Sequence, residues 1–166
     1  RGMICSEEEL SIGTGAEGIF VVDDEIDAAP GTPIADALDL RDTIFEIGLT
    51  PNRPDALGHI GIARDLALHY GVPFTAPTAP TPSRAEEGDI GIAVEISSPE
   101  RCPRYGAGLV RGVTMGRSPF WLRYRLHCLG LRAIHNVVDA TNYVLMEHGH
   151  PTHAFDERSV RGRRIV

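Results

Sequence analysis

The chain has 166 residues, 42% of them hydrophobic, and a net charge of −7, which is enough for one ordinary core or two small ones. No apolar run reaches the ~20 residues needed to span a bilayer, and Arg1 to Glu7 lacks the apolar centre of a signal peptide. Cys5, Cys102 and Cys128 are odd in number and far apart, which speaks against a disulfide framework or a zinc ribbon and for a reducing cytosol.

In chain order, Met3-Ile4-Cys5-Ser6 predicts a strand end, and Gly13, Gly15 and Gly18 a loop into a short strand at Ile19-Phe20-Val21-Val22. Asp23 to Asp42 is acidic and broken by Pro30, Gly31 and Pro33, and it suits a surface connection better than a core element. Thr43 to Ile47 predicts a strand. Thr50-Pro51-Asn52-Arg53-Pro54-Asp55 is dense in turn formers and leads into an amphipathic helix. Asp55 can cap that helix, Leu57, Ile60, Ala63, Leu66, Ala67 and Tyr70 recur at helical spacing, and Gly71 is placed to stop it.

Pro73 to Asp89 spaces Pro73, Pro77, Pro80 and Pro82 among Thr and Ala, the composition of an extended linker at a domain boundary. Beyond it Ile90, Ile92, Val94 and Ile96 alternate as in a half-buried strand, and Arg104 to Val113 predicts a second one. Ser118 as cap and Pro119 at the first helical position predict a helix carrying Phe120, Trp121, Tyr124, Leu126 and Cys128, ended by Gly130. Asn136 can cap a further helix through about Glu147, with Gly149 at its end. Arg163 to Val166 reads as a strand cut at the chain terminus, so the second domain is expected to be incomplete.

Charge is separated along the chain. Residues 1–100 carry 5 Arg against 19 Asp and Glu, a net of −14, while residues 101–166 carry 11 Arg against 4, a net of +7. Every basic group is a guanidinium, whose planar fork pairs well with phosphate, so the basic stretch suits an RNA-contacting surface; an ordinary charged face fits the charge equally well. Arg132 to Asp156 concentrates this chemistry: one arginine, four histidines and two aspartates surround one short apolar helix. A helix core does not require so many ionisable groups at its ends. His148, His150 and His153 invite a metal reading, but no acidic or thiolate partner stands at matching spacing and Gly149 and Pro151 interrupt the helix, so no metal site is expected. Phe120, Trp121 and Tyr124 could stack on bases, but at helical spacing such residues more often form core.

Three motifs carry a family resemblance. Thr50-Pro51-Asn52-Arg53-Pro54-Asp55-Ala56-Leu57 followed by Gly61-Ile62-Ala63-Arg64-Asp65, then Cys102-Pro103-Arg104-Tyr105, then Ile134 to Val144 followed by His153-Ala154-Phe155-Asp156, resemble the bacterial phenylalanyl-tRNA synthetase beta subunit, in the family's order and along the whole chain. The resemblance implies an α+β fold in an internal fragment. Residues 1–42 are expected to be the C-terminal tail of an OB-type tRNA-binding barrel with its connection, 43–75 the second part of a small helical domain, 76–89 the Pro-rich linker, and 90–166 the N-terminal part of the editing module. It also implies a cytoplasmic setting, tRNA and the synthetase alpha subunit as partners in a hetero-tetramer of two alpha and two beta, and no membrane or DNA partner. ATP and Mg2+ are implied for the complete enzyme and no cofactor for this fragment, which alone is expected to be inactive.

By the same resemblance Arg132 and His153 match the arginine and histidine of the site that hydrolyses tyrosine mischarged on the phenylalanine tRNA, and they serve as both catalytic and substrate-binding candidates. Arg132 could hold a phosphate or the ester carbonyl, and His153 could orient water or bind the terminal ribose. From spacing alone a helix-end ion pair and a structural histidine would be the favoured reading; the resemblance reverses it. His150 stands where the family often has Gln. Asn52, Arg53, Asp55, Asp139 and Asn142 are expected to be structural, as caps and turn-holding side chains, with Arg53 able to bind the preceding carbonyls. Two other functions are weighed: a non-catalytic RNA-binding or assembly module, and a free-standing editing deacylase, against which the implied barrel tail and the helix opening at Asp55 speak.

Overall fold

The computed structural model of the protein describes residues 3–24, 26–78 and 90–166. Most of the expected linker, residues 79–89, lies outside the described residues. The chain is a small α+β piece with four α-helices and one two-stranded sheet among the described residues. Its contacts separate into two compact units, Arg1–Phe74 with Met115–Thr152 and Thr75–Thr114 with His153–Val166. The units therefore interleave along the sequence, whereas the segments that the resemblance implies follow one another.

The first unit holds α1 (Ile34–Ala37), α2 (His59–Tyr70), α3 (Phe120–Cys128) and α4 (Asn136–His148), with a 3-10 turn at Pro54–Ala56 before α2. α4 packs on both α2 and α3. Ile12, Leu38 and Phe120 form a buried cluster, and Leu10, Phe20, Ile26, Leu40 and Tyr124 close around it. Burying each large apolar side chain of this kind contributes about 1.5–3 kcal/mol. Part of the cluster comes from the acidic stretch read as a surface connection. Leu38 is buried there because Ile26, Leu38 and Leu40 turn inward while the acids between them stay exposed or half-buried.

The three expected helices form, with altered starts. α2 has Gly58 as its N-cap, with no side-chain bond, because Pro54–Ala56 has already turned the chain and drawn Asp55 into that turn. A Cβ on Gly61 would stand 1.8 Å from the backbone oxygen of Asp55, so only glycine permits this turn to fold so closely against the helix. Pro119 itself caps α3, while the Ser118 hydroxyl is turned to Asp139. His135 caps α4, its Nδ1 accepting from the Val138 N–H at 3.3 Å, and Asn136 instead accepts from Gly116 N–H through its side chain. Gly71 and Gly149 end α2 and α4 in the left-handed conformation, as their positions predict.

The second unit holds the sheet. β1 (Ala93–Val94) and β2 (Arg164–Ile165) run parallel, pairing Ala93 with Arg164 and Val94 with Ile165. Ile90, Ile92 and Ile96 are half-buried, but Val94, the member of the expected alternation that lies in the ladder, is 40% exposed, so the alternation holds only in part and the ladder is much shorter than expected. Arg163 fastens the pair, donating to the Gly91 carbonyl at 2.5 Å and to Glu157 at 2.9 Å. The segments 19–22, 43–47 and 104–113 are not strands among the described residues. A strand exists only through the ladder of a neighbour, and Ile44, Phe45 and Val110 are 64%, 76% and 77% exposed, so nothing described covers their apolar side.

Candidate functional site

Within the first unit the start of α3, the loop before α4 and the N-terminal segment enclose a cleft of about 200 Å³. Glu7, Thr14, Arg117, Ser118, Arg123, His127, Arg132 and Asp139 supply its polar side chains. Arg123 lies on the inner side of α3, three residues after the buried Phe120, and its guanidinium sits 5.4 Å from that ring. It is 8% exposed and fully engaged: Nε donates to the Ser118 carbonyl at 2.9 Å, Nη1 to Glu7 at 2.7 Å and Nη2 to Asp23 at 2.9 Å. Arg117 pairs with Glu7 from the solvent side.

Asp139, fully buried on the first turn of α4, accepts from the Ser118 hydroxyl with one oxygen and from the Ile134 N–H at 2.8 Å with the other. That second bond ties down the irregular segment 131–135, which carries Arg132. Arg132 is exposed at the cleft and, among the described residues, makes no hydrogen bond or ion pair, unlike Arg117 and Arg123. An arginine fork left open beside a cleft can donate to an anionic or carbonyl oxygen from outside.

His153 belongs to the second unit, exposed, with its ring 6.3 Å from that of Phe155. Three residues on, Asp156 caps the Glu157–Ser159 turn and forms a fork with Arg158 at 2.8 and 3.1 Å. The Arg158 side chain, with its backbone N–H second, holds the Asp156 carboxyl down to about 2. A depressed carboxyl pKa gives a contact that is present above the unfolded value of about 4 and lost only as pH falls through the folded value. The fork is therefore expected to persist to strongly acidic pH, and an NMR titration of Asp156 with a midpoint of about 4 would show it absent.

The other expected residues lie at the head of α2 or within α4. Asn52 is exposed in the turn before the Pro54–Ala56 helix. Arg53 grips the carboxylates of Asp55 at 2.8 and 3.0 Å and of Asp65 at 2.6 Å, in place of the expected carbonyls. The same bonds hold the Asp55 carboxyl below the usual range. Asn142 is half-buried within α4. Phe120 is buried, while Trp121 is exposed, edge-on to Tyr143 with ring centres 5.7 Å apart. Among the described residues no group of three or more His, Cys, Asp or Glu side chains is placed to hold a metal ion, and no helix is long and apolar enough to cross a membrane.

Residues 101–166, which include Arg132, Asp139 and His153, match the B3/4 domain family. Along its whole length the chain is 47% identical, over 166 residues, to the phenylalanine–tRNA ligase beta subunit of Syntrophus aciditrophicus. The chain belongs to the phenylalanine–tRNA ligase beta-subunit family. The beta subunit of Anaeromyxobacter dehalogenans is 48% identical over 168 residues, covering 99% of this chain and 20% of its own length. That of Thermotoga maritima is 42% identical over 166 residues, covering 100% of this chain and 21% of its own length. The chain thus spans about one fifth of the length of the beta subunits it matches.

Glu7, Asp23, Ser118, Arg117 and Arg123 were not among the site residues expected from the sequence. Arg123 carried one signal: it interrupts the apolar side of a helix, at Phe120 plus three, where a charge must find a buried partner. Its acidic partners, 116 and 100 residues away in sequence, carried none.

Proposed function

We propose that this chain is part of the beta subunit of phenylalanine–tRNA ligase, the enzyme that attaches phenylalanine to its tRNA with ATP, and that it contributes tRNA-binding scaffold and residues of the reaction removing tyrosine wrongly attached to that tRNA. The observation that carries this reading is the open guanidinium of Arg132 beside a polar cleft, inside the stretch that matches the B3/4 domain family. In this reading residues 1–42 end an OB-type barrel, 43–75 belong to a small helical domain, and 90–166 begin the editing module. The partners are tRNA and the alpha subunit in a cytoplasmic tetramer of two alpha and two beta. ATP and Mg2+ serve the aminoacylation reaction of the whole enzyme.

The chemistry is ester hydrolysis. Water attacks the ester carbonyl, negative charge develops on its oxygen, the bond to the ribose oxygen breaks, and that oxygen takes a proton to leave free tyrosine and tRNA. Arg132 supplies the fork that stabilises the oxyanion or holds a neighbouring phosphate, and His153 orients the water or binds the ribose. Choosing tyrosine over phenylalanine demands a partner for one hydroxyl, since a site built to hydrogen-bond it rejects the analogue that leaves its polar groups unpaired.

The test uses the full beta subunit with its alpha partner, supplied with phenylalanine tRNA charged with either amino acid. Rapid loss of the tyrosyl ester with the phenylalanyl ester spared is the expected result. Equal stability of both esters would favour a scaffold without chemistry. Hydrolysis that needs no alpha partner or further beta domains would favour a free-standing deacylase.

A further inference from the structure

We propose that a buried relay of hydrogen bonds, running from Glu7 through Arg123, Ser118 and Asp139 to the backbone of Ile134, holds the Arg132 segment in place and so positions that arginine. The consequence for hydrolysis rests on the assignment of Arg132 to editing; the holding of the segment does not.

Glu7 takes Arg123 Nη1 at 2.7 Å, Arg123 Nε reaches the Ser118 carbonyl at 2.9 Å, the Ser118 hydroxyl donates to Asp139, and Asp139 takes the Ile134 N–H at 2.8 Å. Ser118 is 2% exposed and Asp139 0% exposed, so water does not compete for these bonds. The relay ends two residues from Arg132, within a segment that has no regular secondary structure of its own. The loop-bound fork would otherwise sample many positions, and a small misplacement of a catalytic group costs rate steeply. A buried ion pair adds little net stability compared with apolar packing, so what this one contributes is geometry. Its far end, Glu7, lies in the segment proposed to end the tRNA-binding barrel. The relay is thus a route by which that segment sets the position of Arg132.

Ser118→Ala cuts the relay at its middle: alanine keeps the carbonyl used by Arg123, while the fully buried Asp139 loses the donor to one oxygen and so holds the Ile134 N–H less firmly. Ser118→Thr retains the hydroxyl. In the full beta subunit with its alpha partner, Ser118→Ala is expected to speed hydrogen exchange at the Ile134 amide about ten-fold, the effect of losing one buried hydrogen bond. The same variant should lower kcat/KM for tyrosyl-tRNA hydrolysis by about ten-fold, with Phe-tRNA formation unchanged. Ser118→Thr should restore both. Added to Arg132→Ala, Ser118→Ala should cause no further loss, because it acts through that arginine. Unchanged exchange in Ser118→Ala overturns the relay, as does a hydrolysis loss that adds in full to that of Arg132→Ala. Faster exchange combined with full hydrolysis in Arg132→Ala overturns the editing assignment and leaves the relay standing.

Discussion

Replacing Arg123 by methionine is expected to destabilise the first unit by about 3–5 kcal/mol, the cost of removing one partner from a buried ion pair. Methionine fills much of the same length beside Phe120 and removes the charge. Glu7 and Asp23, 11% and 22% exposed in their side chains, then lose their inner partner, and the Ser118 carbonyl loses its donor. Arg117 stays near both carboxylates but is 57% exposed, so it compensates weakly. Adding Glu7→Gln to Arg123→Met should recover part of the loss, because it withdraws the stranded charge. Thermal or denaturant unfolding of the beta subunit reads the effect. A loss below about 1 kcal/mol would place the pair among ordinary surface salt bridges.

The second large effect falls on activity. Arg132→Ala removes the open fork at the cleft, and the proposed role is stabilisation of charge that develops only in the transition state. Loss of one such donor typically costs about 100- to 1,000-fold in rate, and that range is expected for tyrosyl-tRNA hydrolysis. His153→Ala is expected to cost about 100-fold, within the usual range for a group that orients or activates the attacking water. Both variants should leave Phe-tRNA formation unchanged, since neither residue is proposed to touch that reaction. Arg132→Lys should rescue poorly, because an ammonium on a flexible stem cannot reproduce the bidentate fork.

Helix positions were legible in the sequence because their signals are local. Apolar spacing and the stop glycines Gly71 and Gly149 need no partner elsewhere. The caps were less legible. Ser118 is a good capping residue and Asn136 a better one than His135, yet tertiary demands redirected both: Ser118 serves Asp139, and Asn136 ties down Gly116. The strands were legible least, since their alternation marks a face and the ladder that realises it comes from another part of the chain. Val94 and Ile165 are 71 positions apart and pair only through the fold.

The candidate site divided in the same way. Arg132 and His153 stood out by residue type and by family resemblance, and Asp139 by its place on a first helical turn. The partners that fix the cleft did not, because Glu7 and Asp23 lie 116 and 100 positions from the arginine they hold, and Asp23 opens an acidic stretch that reads as a surface connection. A buried charge in a helix sequence reveals that a partner exists and leaves its address unknown.

The most direct measurement is single-turnover hydrolysis of tyrosine-charged phenylalanine tRNA by the full alpha–beta enzyme, comparing the native protein with Arg132→Ala and His153→Ala and using Phe-tRNA formation as the control. Each variant is expected to lose about 100-fold or more of the hydrolysis rate while charging continues at the native rate. Native hydrolysis rates in both variants would contradict the editing assignment.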